Sequence, residues 1–343
     1  TLVREIARYQ PDLLIVYHGH NETATRFSAA DRLWLNPHSL RSRLVDSRLY
    51  EMLSRVLPAS ATSRLVAPRD AGRPGGVGSV GRRVYSTQAD RRLSAALFEA
   101  RLVEIVRLMH GAGARTMLLT LSQNFSEWAP AIAVHRTGMR PDELAAWRAA
   151  VRAGDQLAPH DCEAALAVWS QALAIDPDFA DLEFRMAQCE QTLRRLEEAN
   201  IRFRRASDLD RLPHGAPTAF NDILRDVARR EDAILVDVDA AFLRASGPRL
   251  VGNDLFVEAV HLNIRGQQLI ATVLAEAIRA ARIGAPEVQW DPDAYIEPSP
   301  DAVLAADPGL AGLEKLLRAV VCAGAGRPGC KTTFSGTDID APD

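Results

Sequence analysis

The chain has 343 residues, 47% of them hydrophobic and 25% charged, with a net charge of -3. That length exceeds what one hydrophobic core usually organises, so one large domain with an insertion, or two smaller domains, is expected. The near-neutral balance gives no electrostatic reason to expect a nucleic-acid partner, and no run of about 18 apolar residues offers a membrane span.

Basic charge is almost all arginine, with Lys315 and Lys331 the only lysines. Genomic base composition explains that before function does. The chain opens at Thr1 on a short amphipathic stretch, residues 2–7, that runs straight into a strand. A domain rarely begins inside such a helix, so an N-terminal portion is expected to precede it. Any signal or anchor would lie there, and localisation is not legible.

In chain order, residues 13–17 form a continuous apolar run between Pro11-Asp12 and Gly19, which suits a parallel strand buried on both faces. Helical apolar spacing follows over 39–57. Residues 67–90, rich in glycine, proline and arginine, read as a mobile surface loop. A long helix over 90–109 ends near Gly111 and Gly113, and a second buried strand covers 116–121. A helix over 216–230 leads to a third strand at 233–238, and a last long helix covers 263–282. Strands alternating with helices predict an α/β fold, a parallel sheet between helical layers.

Between the second and third strands lies a segment with its own period. Ala165, Trp169 and Ala172 are matched 34 residues later by Ala199, Phe203 and Ala206, and Asp176-Pro177 closes the first unit. Small residues flanking an aromatic let paired helices approach closely, and the spacing is that of tetratricopeptide repeats. Two units fall short of the roughly three that stand alone, so the insertion is expected to pack on the α/β body. It would serve as a protein-binding module, a lid or a spacer. The expected division is therefore 1–140, the first part of the α/β domain; 141–212, the helical insertion; 213–285, its second part; and 286–343, a tail. The tail is helical over 310–321, and its last dozen residues have a disordered composition.

The four cysteines are Cys162, Cys189, Cys322 and Cys330. None forms a C-x-x-C pair and no histidine stands at zinc-ligand spacing, so no metal is expected. A Cys322–Cys330 disulfide is open but not required. No glycine-rich phosphate loop is present, and no cofactor is expected.

Two short stretches carry chemistry. The first strand ends in Gly19-His20-Asn21-Glu22, where a parallel sheet presents its ligands. The Asn21 amide is an uncharged donor suited to an oxyanion, and Gly19 lets the backbone turn tightly before it. The same pair also makes an ordinary turn. His18 and His20 face opposite ways on an extended segment, which argues against a shared metal and places His20 at a pocket wall. The second stretch is Glu258-Ala259-Val260-His261-Leu262-Asn263. A carboxylate three residues before a histidine can hold its Nδ1 and leave Nε2 free as a base, while Asn263 is placed to cap the following helix. Asp208-Leu209-Asp210 reads as a solvated turn at a helix end.

Together, Pro-Asp-Leu-Leu-Ile-Val-Tyr-x-Gly-x-Asn-Glu and the downstream acid-x-x-His-x-Asn-x-x-Gly resemble the SGNH (GDSL-type) hydrolase family over residues 1–283. The inserted repeats resemble those of a bacterial subgroup. The resemblance implies a three-layer, flavodoxin-like parallel sheet and a serine esterase acting on a small-molecule or glycan ester without a cofactor. It implies His261 as catalytic base and Glu258 as triad acid, with Asn21 and Gly19 at the oxyanion hole. The family acid is usually aspartate, and Asp254 is the other acid in reach. The family serine lies upstream of the asparagine strand, where this sequence has no residues. Gly78-Ser79-Val80-Gly81 falls after that strand in a flexible stretch, so Ser79 does not fit a nucleophile's rigid strand-to-helix turn. No nucleophile is thus assigned within the chain, which is expected to be inert by itself. Hydrolase and O-acyltransferase are not separated by sequence, and a non-catalytic scaffold binding a protein through its repeats is the other reading.

Overall fold

The computed structural model describes residues 2–23 and 88–284. The helix expected over 39–57, the loop ahead of residue 88 with Ser79, and the tail with Cys322 and Cys330 lie outside them.

The described residues form a mixed α/β structure, mostly helical, around a three-stranded parallel sheet ordered β1-β2-β3. Strand β1 is Leu13–Val16, β2 Arg115–Leu119 and β3 Ile234–Val236. In register, Ile15 pairs with Met117, and Met117 with Ile234. The helices are α1 (Leu2–Ile6), α2 (Gln88–Gly111), α3 (Pro141–Leu157), α4 (Cys162–Ile175), α5 (Ala180–Thr192), α6 (Leu196–Leu209), α7 (Ala219–Arg230), α8 (Val238–Ser246) and α9 (Ile264–Ala280).

Strand period divides the core in two. On one face Leu118 and Val16 pack with Phe98, Leu102 and Val106 of α2 and with Phe220, Leu224 and Val227 of α7. On the other, Met117, Leu119 and Val236 pack with Phe242 of α8 and the apolar stripe of α9. β1 is less buried than its composition suggests, because it is the edge of the described sheet. Ile15 is 41% exposed and only Val16 of this strand is buried.

β3 stops at Val236, two residues short of the expected strand. Asp237 turns the chain by accepting the Ala240 N–H at 3.1 Å, which caps α8. Similarly β2 ends at Leu119, and beyond it the Asn221 side chain pairs with Leu121 as a strand would. Its Oδ1 accepts the Leu121 N–H at 2.7 Å and its Nδ2 donates to the Leu121 carbonyl at 2.8 Å. Helix α7 begins three residues later than expected, since residues 213–218 are held as a loop. Its Thr218 N–H and hydroxyl donate to Asp208.

The segment between β2 and α7 is four helices, and both periodic triplets are buried on the second helix of a pair. Ala165, Trp169 and Ala172 lie on α4, and Ala199, Phe203 and Ala206 on α6. Gly154 of α3 lies so near Trp169 that a Cβ would overlap its indole. The α3–α4 pair builds its own small core with one face of α5. The other face of α5, with α6, joins the sheet's core through Phe184, Ala187 and Phe203. Arg204 completes the attachment: it pairs with Asp239 of α8 at 2.9 and 3.1 Å while its guanidinium lies 4.4 Å over the Phe125 ring.

One link was not anticipated and one sequence expectation is corrected here. Cys162 and Cys189 are joined in a disulfide that staples α4 to α5. Asp210 is buried rather than solvated, and its carboxylate accepts from the N–H groups of Ala131, Ile132 and Leu212. No helix among the described residues is long and apolar enough to cross a membrane.

Candidate active site

The acid and the histidine sit at the tip of a miniature hairpin. Asn263 N–H donates to the Leu255 carbonyl at 3.0 Å and Val257 N–H to the His261 carbonyl at 2.8 Å, with Phe256 and Leu262 bridged antiparallel between them. Residues 258–260 are thus left as a tight connection. Its tip is anchored from β2's side, where Asn124 N–H donates to the Ala259 carbonyl at 2.9 Å.

Within this tip Glu258 Oε1 accepts the His261 N–H at 2.7 Å and also meets His261 Nδ1. The carboxylate side chain is 5% exposed and the imidazole 79%. The acid is therefore sheltered while the ring projects outward, with Nδ1 held and Nε2 turned toward whatever enters. The carboxylate on Nδ1 fixes the tautomer that leaves Nε2 as the free base. Asn263 caps α9 by accepting the Gly266 N–H at 2.9 Å, and its amide donates to the Asn253 and Asp254 carbonyls. Both ends of the loop are thereby fixed. Asp254 does not reach the histidine: it accepts the Gly252 N–H at 3.1 Å and lies 3.7 Å from Arg265.

The tip of β1 arrives from the opposite end of the sequence. Gly19, at φ 154°, is buried so closely that a Cβ would overlap the Leu121 side chain. His20 through Thr23 then form one 3₁₀ turn. Glu22 locks that turn to α2: its carboxylate takes Arg101 at 2.8 Å and lies 3.2 Å from His18, and its carbonyl accepts Ser94 Oγ. The His18 contact foremost holds the Glu22 carboxyl below the usual range, and Arg101 adds to this against the cost of burial. Asn21, between His20 and Glu22, is exposed.

His20 joins the two halves. Its Nδ1 accepts the Ala216 N–H at 3.2 Å, and at neighbouring Gly215 a Cβ would overlap the Gln123 side chain and lie 3.2 Å from Val260 of the acid–histidine tip. Burial pushes the His20 pKa down to about 4; the His261 ring lowers it further, Glu258 opposes that, and His18 adds a smaller push. The β1 tip and the 258–261 loop therefore share one electrostatic neighbourhood, although about 240 residues separate them. The Ala216 amide that creates this link gave no sequence signal, since only the loop geometry of 213–218 brings it there.

A small pocket of 20 Å³, room for a water molecule, opens beside Ala259 between Asn124, Trp128 and His214. Among the described residues, no group of three or more His, Cys, Asp or Glu side chains converges as a metal site requires, and no serine hydroxyl bonds His261. Ser122, three residues beyond β2, is 1% exposed, and its hydroxyl has no partner among the described residues. Compared with protein-family models, curated proteins and solved structures, the chain matches none of them.

Proposed function

We propose that this site is the histidine, acid and asparagine portion of a serine ester hydrolase of SGNH type, carrying a tetratricopeptide-like insertion on a flavodoxin-like body. The observation that carries the reading is the Glu258–His261 pair, sheltered acid behind projecting imidazole, sharing one electrostatic neighbourhood with the turn that bears Asn21.

In this reading a serine Oγ attacks the ester carbonyl carbon and its proton passes to His261 Nε2. Glu258 keeps Nδ1–H oriented and stabilises the imidazolium. The Asn21 amide donates to the oxygen that gains the negative charge. Collapse of the tetrahedral intermediate expels the alcohol, which takes the proton from His261. A water molecule, or a second alcohol if the enzyme is an acyltransferase, then repeats the sequence on the acyl-serine. No nucleophile is assigned among the described residues.

The test uses the protein expressed from its complete reading frame. It should cleave p-nitrophenyl acetate, and His261→Ala should abolish that cleavage. Undiminished turnover by the variant would overturn the reading. Absence of any cleavage, with a partner captured through residues 141–212 instead, would favour the scaffold.

A further inference from the structure

His20 holds a hydrogen-bond donor that no other described residue uses. Its Nδ1 is occupied as an acceptor by the Ala216 N–H at 3.2 Å, so the ring proton of the neutral imidazole must sit on Nε2. That Nε2 is buried, and no described residue accepts from it. A buried donor left unsatisfied costs free energy, so such a group calls for a reason. Its surroundings supply one. His20 precedes Asn21 in the same short turn, and the loop that fixes its ring runs so close to the acid–histidine tip that a Cβ at Gly215 would lie 3.2 Å from Val260, between Glu258 and His261.

We propose that His20 is a second catalytic donor of this site, its Nε2–H held for the acyl oxygen of the bound ester, next to the amide of Asn21. The inference rests on the esterase reading above and deepens it. A neutral imidazole is the suitable donor here. A charged ring so near His261 would oppose the imidazolium that must form during acyl transfer, whereas burial keeps His20 neutral across ordinary working pH. The ring is also oriented before the substrate arrives, because the Ala216 N–H holds its Nδ1 and Tyr17 lies edge-on with ring centroids 6.4 Å apart. In the free protein the donor is covered, and its hydrogen bond forms when the ester is seated.

The experiment compares His20→Phe, which keeps volume and removes the donor, with His20→Gln, which returns an N–H near the Nε2 position. Both are made in the protein expressed from its complete reading frame, with His261→Ala beside them and p-nitrophenyl acetate as substrate. The expected result is a roughly 100-fold fall in kcat for His20→Phe with KM little changed, and recovery of about tenfold in His20→Gln. Unchanged kcat in His20→Phe, while His261→Ala is inactive, overturns the donor role and leaves the esterase reading standing. Cleavage unaffected by His261→Ala overturns the esterase reading itself. Should His20→Phe fail to fold, imidazole ¹⁵N spectra of the unaltered protein decide. The His20 Nε2 resonance should be that of a protonated nitrogen and move saturably as 4-nitroacetanilide, the amide isostere, is added. A resonance that stays in place overturns the proposal.

Discussion

Glu258 holds His261 twice with one oxygen, accepting its backbone N–H at 2.7 Å and meeting its ring Nδ1. The acid therefore has two separable tasks, shaping the loop and orienting the imidazole. Glu258→Gln keeps an oxygen for the backbone N–H but loses the charge that favours the imidazolium. Its melting temperature should stay close to that of the unaltered protein while kcat for a short acyl ester falls by roughly 10³–10⁴. Glu258→Ala removes both tasks and should also cost about 1–3 kcal/mol of stability, read from urea denaturation. Equal activity in Glu258→Gln and the unaltered protein would show that the pair only shapes the loop.

Asn21 offers the reverse combination, since it is exposed and the fold does not lean on its side chain. Asn21→Ala should change stability by less than about 0.5 kcal/mol and lower kcat by roughly 10²–10³. A large loss of stability would make the residue part of the turn rather than of the chemistry.

The acid–histidine pair was legible because its geometry is local: three residues of spacing and a helix cap at Asn263 determine it. The parallel sheet was legible from apolar runs such as 116–121, and the helical insertion from the Ala-aromatic-Ala triplets. What failed was set either by a cap hidden inside an apolar run or by distant partners. Val236 ends β3 because Asp237 caps α8, and a run of apolar residues cannot report a cap inside itself. Asp210 reads as solvated until Ala131 and Ile132, about 80 residues back, bring their amides to it. The role of His20 depends on an amide 196 residues away.

Burial of His20 has a consequence for stability against pH. Its folded pKa, about 4, lies below the ordinary 6.5, so the unfolded chain takes up the proton first. The neutral ring's contribution is complete above pH 6.5 and is lost as pH falls toward 4. By linkage the loss is about 2 kcal/mol at pH 5 and about 3 kcal/mol below pH 4. Urea denaturation at pH 7.5 and pH 5 should show that drop in the unaltered protein and a smaller one in His20→Phe. Equal drops in both would place the ring in water.

Gly19 sits where a side chain has neither room nor a relaxed backbone. At φ 154° any L residue is strained, and a Cβ would overlap Leu121 in the core between the sheet and helices α2 and α7. Gly19→Ala should therefore destabilise the protein by about 2–4 kcal/mol and shift His20 and Asn21 with it. The expected signature is a lower urea midpoint together with reduced esterase activity. A midpoint unchanged within error would show that Leu121 yields freely.

Cys162 and Cys189 form a crosslink that sequence spacing did not single out, because 27 residues separate them and they meet only where α4 faces α5. The chain-entropy estimate for a loop of that size is about 3–4 kcal/mol. Its effect should concentrate on α3–α5, since Cys189 lies in the small core those helices share. Digestion without reductant should yield a peptide pair joined through 162 and 189. Replacing both cysteines by serine should raise amide exchange in α3–α5 well above that in α2 and α7, which pack on the sheet. Exchange that rises equally everywhere would mean that the insertion and the body unfold as one unit, as the burial of Phe184 and Phe203 in the sheet's core would then require.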